Sequence, residues 1–365
     1  MSTLESARST APVGLLTGAG LDLGPHASRY RLPDRTMLRV LAERAESRAD
    51  HPWLVFDNVD VLTFAEGYDL TLRVAAALRH TVDVPGKVAI MLRNQWEFMP
   101  SFYGAMAAGG IAVPLNAEAR GPLLRQVLEI SDATVLVIRV DLLDRLDVVE
   151  DLAAVEHIVA VGEGHVPSHV CGVGVSRWSD WLADDAEDPG DLPTAFDTAL
   201  IQFTSGTTGT SKGAIYSHHF LYLYAAMIAD SQGHGPDDVL STPLPLYHVA
   251  ALHIIANAAL HVGCTAHLKS RFSAREFWPQ IARDQATFAI ILGPMAAIVD
   301  KTVQEAPPHR LKGMFCVPPP PGRTDFEAKF RVRMLWQGYG MTEVYPLPMP
   351  SMMRQDVASD TLGHP

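Results

Sequence analysis

Three shortages narrow the reading of this chain before any motif does. Cysteine is scarce: Cys171, Cys264 and Cys316 are the three in 365 residues. They are far apart, odd in number and without C-x-x-C spacing, so neither a disulfide framework nor a zinc site is expected. A reducing, cytoplasmic setting fits that usage. Basic residues are outnumbered, 29 Lys and Arg against 41 Asp and Glu, for a net charge of −12. That balance argues against a nucleic-acid partner, although a local cluster can still hold a small anion. Long apolar runs are also missing. The longest, Val249 to Val262, is broken by His253, Asn257 and His261, so no membrane span is expected. The patch Val13-Gly14-Leu15-Leu16 is too short for a signal peptide. Internal repeats and low-complexity tracts are absent as well.

What is there describes a compact α/β chain. Hydrophobic residues make up 48% and charged residues 19%, and the length suits two or three domains. Residues 1–35 lack periodicity and read as an irregular N-terminal segment. Thr36 is placed to cap a helix with Met37, Leu38, Leu41 and Ala45 on its apolar face. Trp53 to Phe64 reads as a hairpin. Strand-like runs follow at Val88–Leu92, Ile111–Leu115 and Val135–Ile138, with helical patterns at about 66–80, 95–108 and 120–131. Short apolar strands separated by helices imply parallel sheet covered on both faces. An acidic, turn-rich stretch at 184–191 marks a break, so residues 36–190 form a first α/β part and 191–365 a second. In the second part, helices are expected at about 219–231 and from near Val249, and strands near 287–292 and 332–336.

The chemistry concentrates in Thr204-Ser205-Gly206-Thr207-Thr208-Gly209-Thr210-Ser211-Lys212-Gly213, directly after the apolar run Ala199–Phe203. Glycines let the backbone turn tightly and approach a ligand closely. Hydroxyls, backbone N–H groups and the charge of Lys212 can then surround a polyphosphate. A flexible linker is the competing reading, but linkers rarely follow a buried strand directly. The G-x-x-x-x-G-K-[ST] loop does not fit, because position 211 is serine and Gly213 follows the lysine. A second signal is Gln337-Gly338-Tyr339-Gly340-Met341-Thr342-Glu343, after the strand-like Val332–Trp336. Such turns at strand ends are where α/β proteins bind ligands. Tyr339 offers a ring for a base, Thr342 a hydroxyl for phosphate and Glu343 an oxygen ligand for Mg2+.

Together these stretches resemble the adenylate-forming superfamily of acyl-CoA synthetases, luciferases and peptide-synthetase adenylation domains. Leu62-Thr63-Phe64 is similar to the L-T-[YF] element, and Ala107–Asn116 to the A-G-A-x-x-V-P-L-N segment. Thr204–Gly213 resembles T-S-G-T-T-G-x-P-K-G, with Ser211 where proline is usual. Ser217-His218 resembles the T-H pair, Pro245-Leu246-Tyr247-His248 the P-L-[FY]-H gate, and Gly338–Glu343 matches G-Y-G-M-T-E.

The resemblance implies a layered αβαβα fold and a two-step reaction. A carboxylate attacks the α-phosphate of ATP, pyrophosphate leaves, and a thiol, usually that of coenzyme A, takes the acyl group. By that pattern Thr204, Ser205, Gly206, Thr207, Thr208, Gly209 and Lys212 would hold the β- and γ-phosphates. Gln337, Gly338, Tyr339, Gly340 and Met341 would border the nucleotide, with Tyr339 on adenine. Thr342 would reach the α-phosphate and Glu343 would bind Mg2+. Tyr247, His248, His253 and Gly340 would border the acyl pocket, with His248 beside the reacting carboxylate. A lone histidine after an apolar strand is otherwise a capping or core residue. His253, Asn257 and His261 share a helix face with no carboxylate near them, which suits a polar face better than a metal site.

Cys316-Val317-Pro318-Pro319-Pro320-Pro321-Gly322 departs from the family's G-[AGS]-A-P, so adenine contacts at Val317 and Pro318 are less secure than the rest. Prolines have no N–H and fix φ, which implies a stiffer wall. Asp360–Pro365 resembles the G-[ST]-x-G-x-P element. The family's later ribose-binding aspartate and its C-terminal domain with the adenylation lysine are not in this sequence, and weak turnover by the chain alone is the expectation. A peptide-synthetase role fits less well, since its pocket aspartate has no counterpart around 245–248. The alternatives carried are a ligase that loads an acyl carrier protein and a degenerate nucleotide- or acyl-binding module. A homodimer is left open.

Overall fold

The computed structural model describes residues 24–82, 86–147, 152, 154–188, 190–204, 211–335 and 339–347. Its architecture follows from strands that are apolar on both sides. In the run from Val88 to Met91, Val88 and Ile90 enter one hydrophobic cluster while Ala89 and Met91 enter another. Successive strand side chains point to opposite faces, so such a strand is stable only in a sheet covered twice.

Along the chain come α1 (Gly24–Ala27), α2 (Met37–Ser47), β1 (Pro52–Phe56), β2 (Asp60–Thr63), α3 (Phe64–Thr81), β3 (Lys87–Met91), α4 (Phe98–Ala107) and β4 (Ile111–Pro114). Next are α5 (Gly121–Ser131), β5 (Val135–Arg139), β6 (His157–Val161), β7 (His169–Val170), β8 (Val173–Arg177), α6 (Trp178–Trp181), β9 (Thr198–Thr204), β10 (Lys212–Ser217) and α7 (His218–Gln232). β11 (Val239–Thr242) leads into a π-helix, Ala250–Asn257, that continues as α8 (Ala258–Val262). The remainder is β12 (Thr265–Leu268), α9 (Phe277–Arg283), β13 (Phe288–Ile291), α10 (Gly293–Thr302), β14 (Gly313–Cys316), α11 (Arg323–Phe330), β15 (Met334–Leu335), β16 (Tyr339–Met341) and β17 (Val344–Leu347).

These strands build an eight-stranded sheet, β10-β9-β4-β3-β5-β6-β8-β7, and a seven-stranded sheet, β15-β14-β13-β11-β12-β1-β2. Both are parallel except at their edges, where β10, β7 and β2 run antiparallel to their neighbours. Three apolar clusters give the layering. The largest joins Val88 and Ile90 of one sheet to Leu240, Ala266 and Phe288 of the other, through α4 and the π-helix. A second covers the outer face of the eight-stranded sheet with α5, and a third covers the outer face of the seven-stranded sheet with α9, α10 and α11. Helix, sheet, helix, sheet, helix is the αβαβα order that the motifs implied.

Local chemistry sets several boundaries. The Thr36 hydroxyl accepts from the Arg39 N–H at 3.2 Å at the start of α2, as the sequence suggested. Thr63 and Glu66 form a reciprocal capping box on α3. Two features differ from the sequence reading. Residues 24–35, expected to be irregular, include α1 and a 3-10 turn at Leu32–Asp34. The Asp230 carboxylate accepts from the N–H groups of His26 and Ala27 at 3.2 and 3.3 Å, a long-range tie that no local pattern announces. The expected division near residue 190 is also not a boundary between sheets. β1 and β2 pair into the seven-stranded sheet, and β9 and β10 into the eight-stranded one, so each sheet draws strands from both parts.

Candidate active site

The carboxyl ends of parallel strands carry the site, as expected for an α/β sheet. β9 and β10 form an antiparallel hairpin with Lys212 opposite Thr204. The strand β10 therefore lies between the glycine-rich stretch and helix α7, where the sequence suggested loop followed by helix. Ser205, Gly206, Thr207, Thr208 and Gly209, expected around phosphates, lie outside the described residues. Their neck is visible. The Ser211 hydroxyl donates to the Thr204 carbonyl at 2.7 Å, and the Ser211 N–H donates to Gln126 Oε1 at 3.3 Å. Proline at this position could make neither bond. Lys212 is exposed at the start of β10.

The segment after β11 turns on Thr242, whose hydroxyl donates to the Ile290 carbonyl at 2.9 Å and accepts from the Leu244 N–H at 3.1 Å. The His248 N–H returns to the Pro245 carbonyl at 3.0 Å. The His248 Nδ1 accepts from the Ala250 N–H at 3.3 Å, which assigns the ring proton to Nε2 in the neutral form. His248 is solvent-exposed as a residue, yet partial desolvation of its ring by the cavity wall lowers the imidazole pKa, so the neutral form prevails at pH 7.

Tyr339–Leu347, which contains the described part of this motif, folds as a hairpin and not as a bare turn. Met341 pairs with Val344, leaving Thr342 and Glu343 at its tip. The Tyr216 hydroxyl donates to the Thr342 carbonyl and so anchors that tip to β10. Tyr339 opens β16, Gly340 and Met341 continue it exposed to solvent, and Glu343 is exposed beside Thr342. Gln337 and Gly338 lie outside the described residues.

A cavity of about 330 Å³ brings these pieces together. Thr204, Ser211, Tyr247, His248 and Thr342 line it, as do Pro114, Leu115 and Asn116 at the end of β4. Gln202 and Phe203 complete the β9 wall. Sequence reasoning assigned no role to Gln202, although it is the one amide in the apolar run Ala199–Phe203 and was therefore a visible signal.

Other expected site residues stand elsewhere. His253 is fully buried in the π-helix and does not line the cavity; its Nδ1 lies 3.1 Å from Asn257 Nδ2, and its ring packs on Tyr216 and Tyr224. Asn257 accepts from the Tyr103 hydroxyl at 2.7 Å, and His261 packs on Tyr222. The three form interior contacts and not the polar helix face that their spacing suggested, because this helix is enclosed between the sheets. Val317 and Pro318 follow β14, a neighbouring strand end, and are not part of the cavity wall. Among the described residues, no group of three or more His, Cys, Asp or Glu side chains is placed to hold a metal ion by itself.

A protein-family model described as AMP-binding enzyme matches residues 41–365. The chain belongs to the AMP-binding enzyme family. Among curated relatives of this AMP-binding enzyme, the long-chain fatty acid transport protein 2 of Rattus norvegicus is 30% identical over 282 residues, covering 76% of this chain and 45% of the relative. The crotonobetaine/carnitine–CoA ligase of Salmonella enteritidis is 32% identical over 267 residues, covering 70% of this chain and 50% of the relative. The chain spans about half the length of the curated relatives it matches. In fold, it is similar to a putative long-chain-fatty-acid CoA ligase from Rhodopseudomonas palustris, with a TM-score of 0.76 at 22% identity over 88% of this chain and 79% of that one. Among the described residues of this AMP-binding enzyme, no helix is long and apolar enough to cross a membrane.

Proposed function

We propose that this chain carries the nucleotide- and acid-binding part of an AMP-forming acid–thiol ligase. It would activate a small carboxylic acid with ATP to an acyl-adenylate and pass the acyl group to coenzyme A. The observation that carries this reading is the convergence of three separate motifs, through Thr204, His248 and Thr342, on one cavity. The names of curated relatives as CoA ligases support coenzyme A as the acceptor over a carrier protein.

Each residue then has a physical task. The neutral His248, at the solvent-facing side of the cavity, presents Nε2–H to the carboxylate of the acid as a hydrogen-bond donor. The hairpin tip presents the Thr342 hydroxyl to the nucleotide phosphates. Lys212 supplies a positive charge beside the phosphate-holding stretch, which offsets charge on the departing pyrophosphate. Attack succeeds when the acid oxygen and the phosphorus are held in line, and walls from two sheets suit that requirement. Mg2+ fits a site with one exposed carboxylate, because that ion is usually held by one or two carboxylates together with substrate phosphates. Glu343 would hold it, and the ion would neutralise phosphate charge. A cytoplasmic location accords with a chain of few cysteines.

A panel of carboxylic acids tests this. The expected result is acid-dependent exchange of labelled pyrophosphate into ATP by the full-length protein, followed by thioester formation when coenzyme A is added. Exchange that yields thioester only with a phosphopantetheinylated carrier protein would move the acceptor to a carrier. No exchange with any acid, in a protein that still binds ATP, would reduce the reading to a binding module.

A further inference from the structure

Two side-chain amides from the eight-stranded sheet hold the backbone just ahead of His248, although that backbone belongs to the seven-stranded sheet. Asn94, three residues beyond β3, is 7% exposed. Its Nδ2 donates to the carbonyls of Leu244 and Lys269, both at 2.8 Å. Its Oδ1 accepts from the Leu246 N–H, also at 2.8 Å. Gln202, in β9 and 1% exposed, donates from Nε2 to the Tyr247 carbonyl. Three backbone groups within Leu244–Tyr247 are thus tied across the junction, and Lys269 ties the end of β12 to the same amide.

The chemistry of these bonds is specific. One carboxamide carries two donors and an acceptor on a single planar group, and Asn94 uses both functions. Aspartate at this position would lose both donations and turn a charge toward two buried carbonyls. Glutamine would place the amide one carbon too far. The consequence passes to His248 through a short path. The His248 N–H is bonded to the Pro245 carbonyl, inside the held segment, and its ring accepts from the N–H of Ala250, two residues on.

We infer that Asn94 and Gln202 are positioning residues that set where the His248 imidazole stands in the cavity, so that the seam between the two sheets, and not the local turn, fixes the acid-activating geometry. The kinetic side of this inference rests on the proposed function, whereas the geometric side does not.

The test uses the full-length protein with Asn94→Asp and with Gln202→Glu, each nearly isosteric and each lacking the donor in question. Histidine-labelled protein is followed by NMR of the ring signals. The expected result is a displaced His248 signal in both variants, with the signals of the interior His218 and His234 unmoved. A His248 signal that stays in place in the folded variants would overturn the inference, and so would equal displacement of every histidine. Should Asn94→Asp fail to fold, Gln202→Glu reads the same quantity alone.

Kinetics supply a second, separate reading. Each variant is expected to lower kcat for pyrophosphate exchange by about 10- to 100-fold with little change in the KM for ATP. In a His248→Ala background, neither substitution should lower it further, whereas independent structural damage would multiply and so overturn the inference. If the native protein exchanges no pyrophosphate while His248 still shifts in the variants, the proposed function fails and the positioning role stands.

Discussion

The hydroxyl of Tyr216 donates to the backbone carbonyl of Thr342, and this bond joins two of the three motif regions. Tyr216 lies on β10 four residues after Lys212, so strand alternation places both on one face. That face packs toward the interior cluster between the sheets. The strand leaving the glycine-rich stretch therefore carries the anchor of the hairpin whose tip lines the cavity.

Tyr216→Phe removes that anchor and leaves the ring packing in place. The expected outcome is a KM for ATP raised by about 3- to 10-fold, from the loss of one ordinary hydrogen bond. The melting temperature should change little. Pyrophosphate-exchange kinetics across ATP concentrations check the first statement and thermal unfolding the second. An unchanged KM would show that the tip holds its place without Tyr216.

Gly293 is the second site with a sharp expectation. A Cβ added there would overlap the carbonyl oxygen of Pro318, which is backbone and cannot swing away. Gly293→Ala is expected to destabilise the protein by about 1–3 kcal/mol through overpacking. Urea unfolding of the variant against the native chain measures it. The same contact gives the proline run after β14 a packing role: Pro318 is wedged on the first residue of α10 and does not wall the cavity.

How much of this was legible in the sequence depends on distance along the chain. Thr36, the hairpin over 53–64 and the strands near Val88 and Val135 were readable because caps and alternation are local. Membership of the sheets was not. Nothing near Trp53 says that β1 pairs with β12 some 200 residues later, a contact made by register and not by pattern. The motifs named Thr204, His248 and Thr342, and all three line the one cavity. Asn94 was passed over because an amide is informative only once its partners are known, and Gln202, visible as a lone amide in an apolar run, gave no sign of which backbone it would hold. His253 was misplaced for a related reason. Its four-residue spacing to Asn257 was read on an α-helix, whereas the chain runs there as a π-helix enclosed between sheets.

That placement separates two histidines five residues apart. His248→Ala is expected to lower kcat for pyrophosphate exchange by about 10²-fold, the usual effect of removing one donor aimed at developing charge. His253→Asn is expected to leave the KM for the acid within about twofold and to act on stability instead, as a buried substitution does. Steady-state kinetics on both variants, with urea unfolding alongside, decide it. A large rise in acid KM for His253→Asn would return that residue to the pocket.

The interior histidines also predict how stability depends on pH. Burial pushes His253 down to about 3, and His218 and His234 down to about 4, from an ordinary value of 6.5. Desolvation is the first cause in each; Asp197 near His218 and Asp238 near His234 oppose it and are outweighed. His218 has both ring nitrogens without a hydrogen-bond partner among the described residues, and His253 has Nε2 so placed. Each group is therefore neutral in the folded protein at pH 7, and above 6.5 it costs nothing because the unfolded chain is neutral there too. Below 6.5 the unfolded chain takes up protons that the folded one refuses, so stability falls with pH. Each histidine contributes about 1.4 kcal/mol per pH unit until its folded value is reached. Three of them acting between pH 6 and 4 should unfold the protein well before its carboxylates are fully protonated. Urea midpoints at pH 7.5, 6, 5 and 4.5 measure the slope, and His218→Asn should flatten it by about one proton's worth. A slope that His218→Asn leaves unaltered would assign the acid sensitivity to other groups.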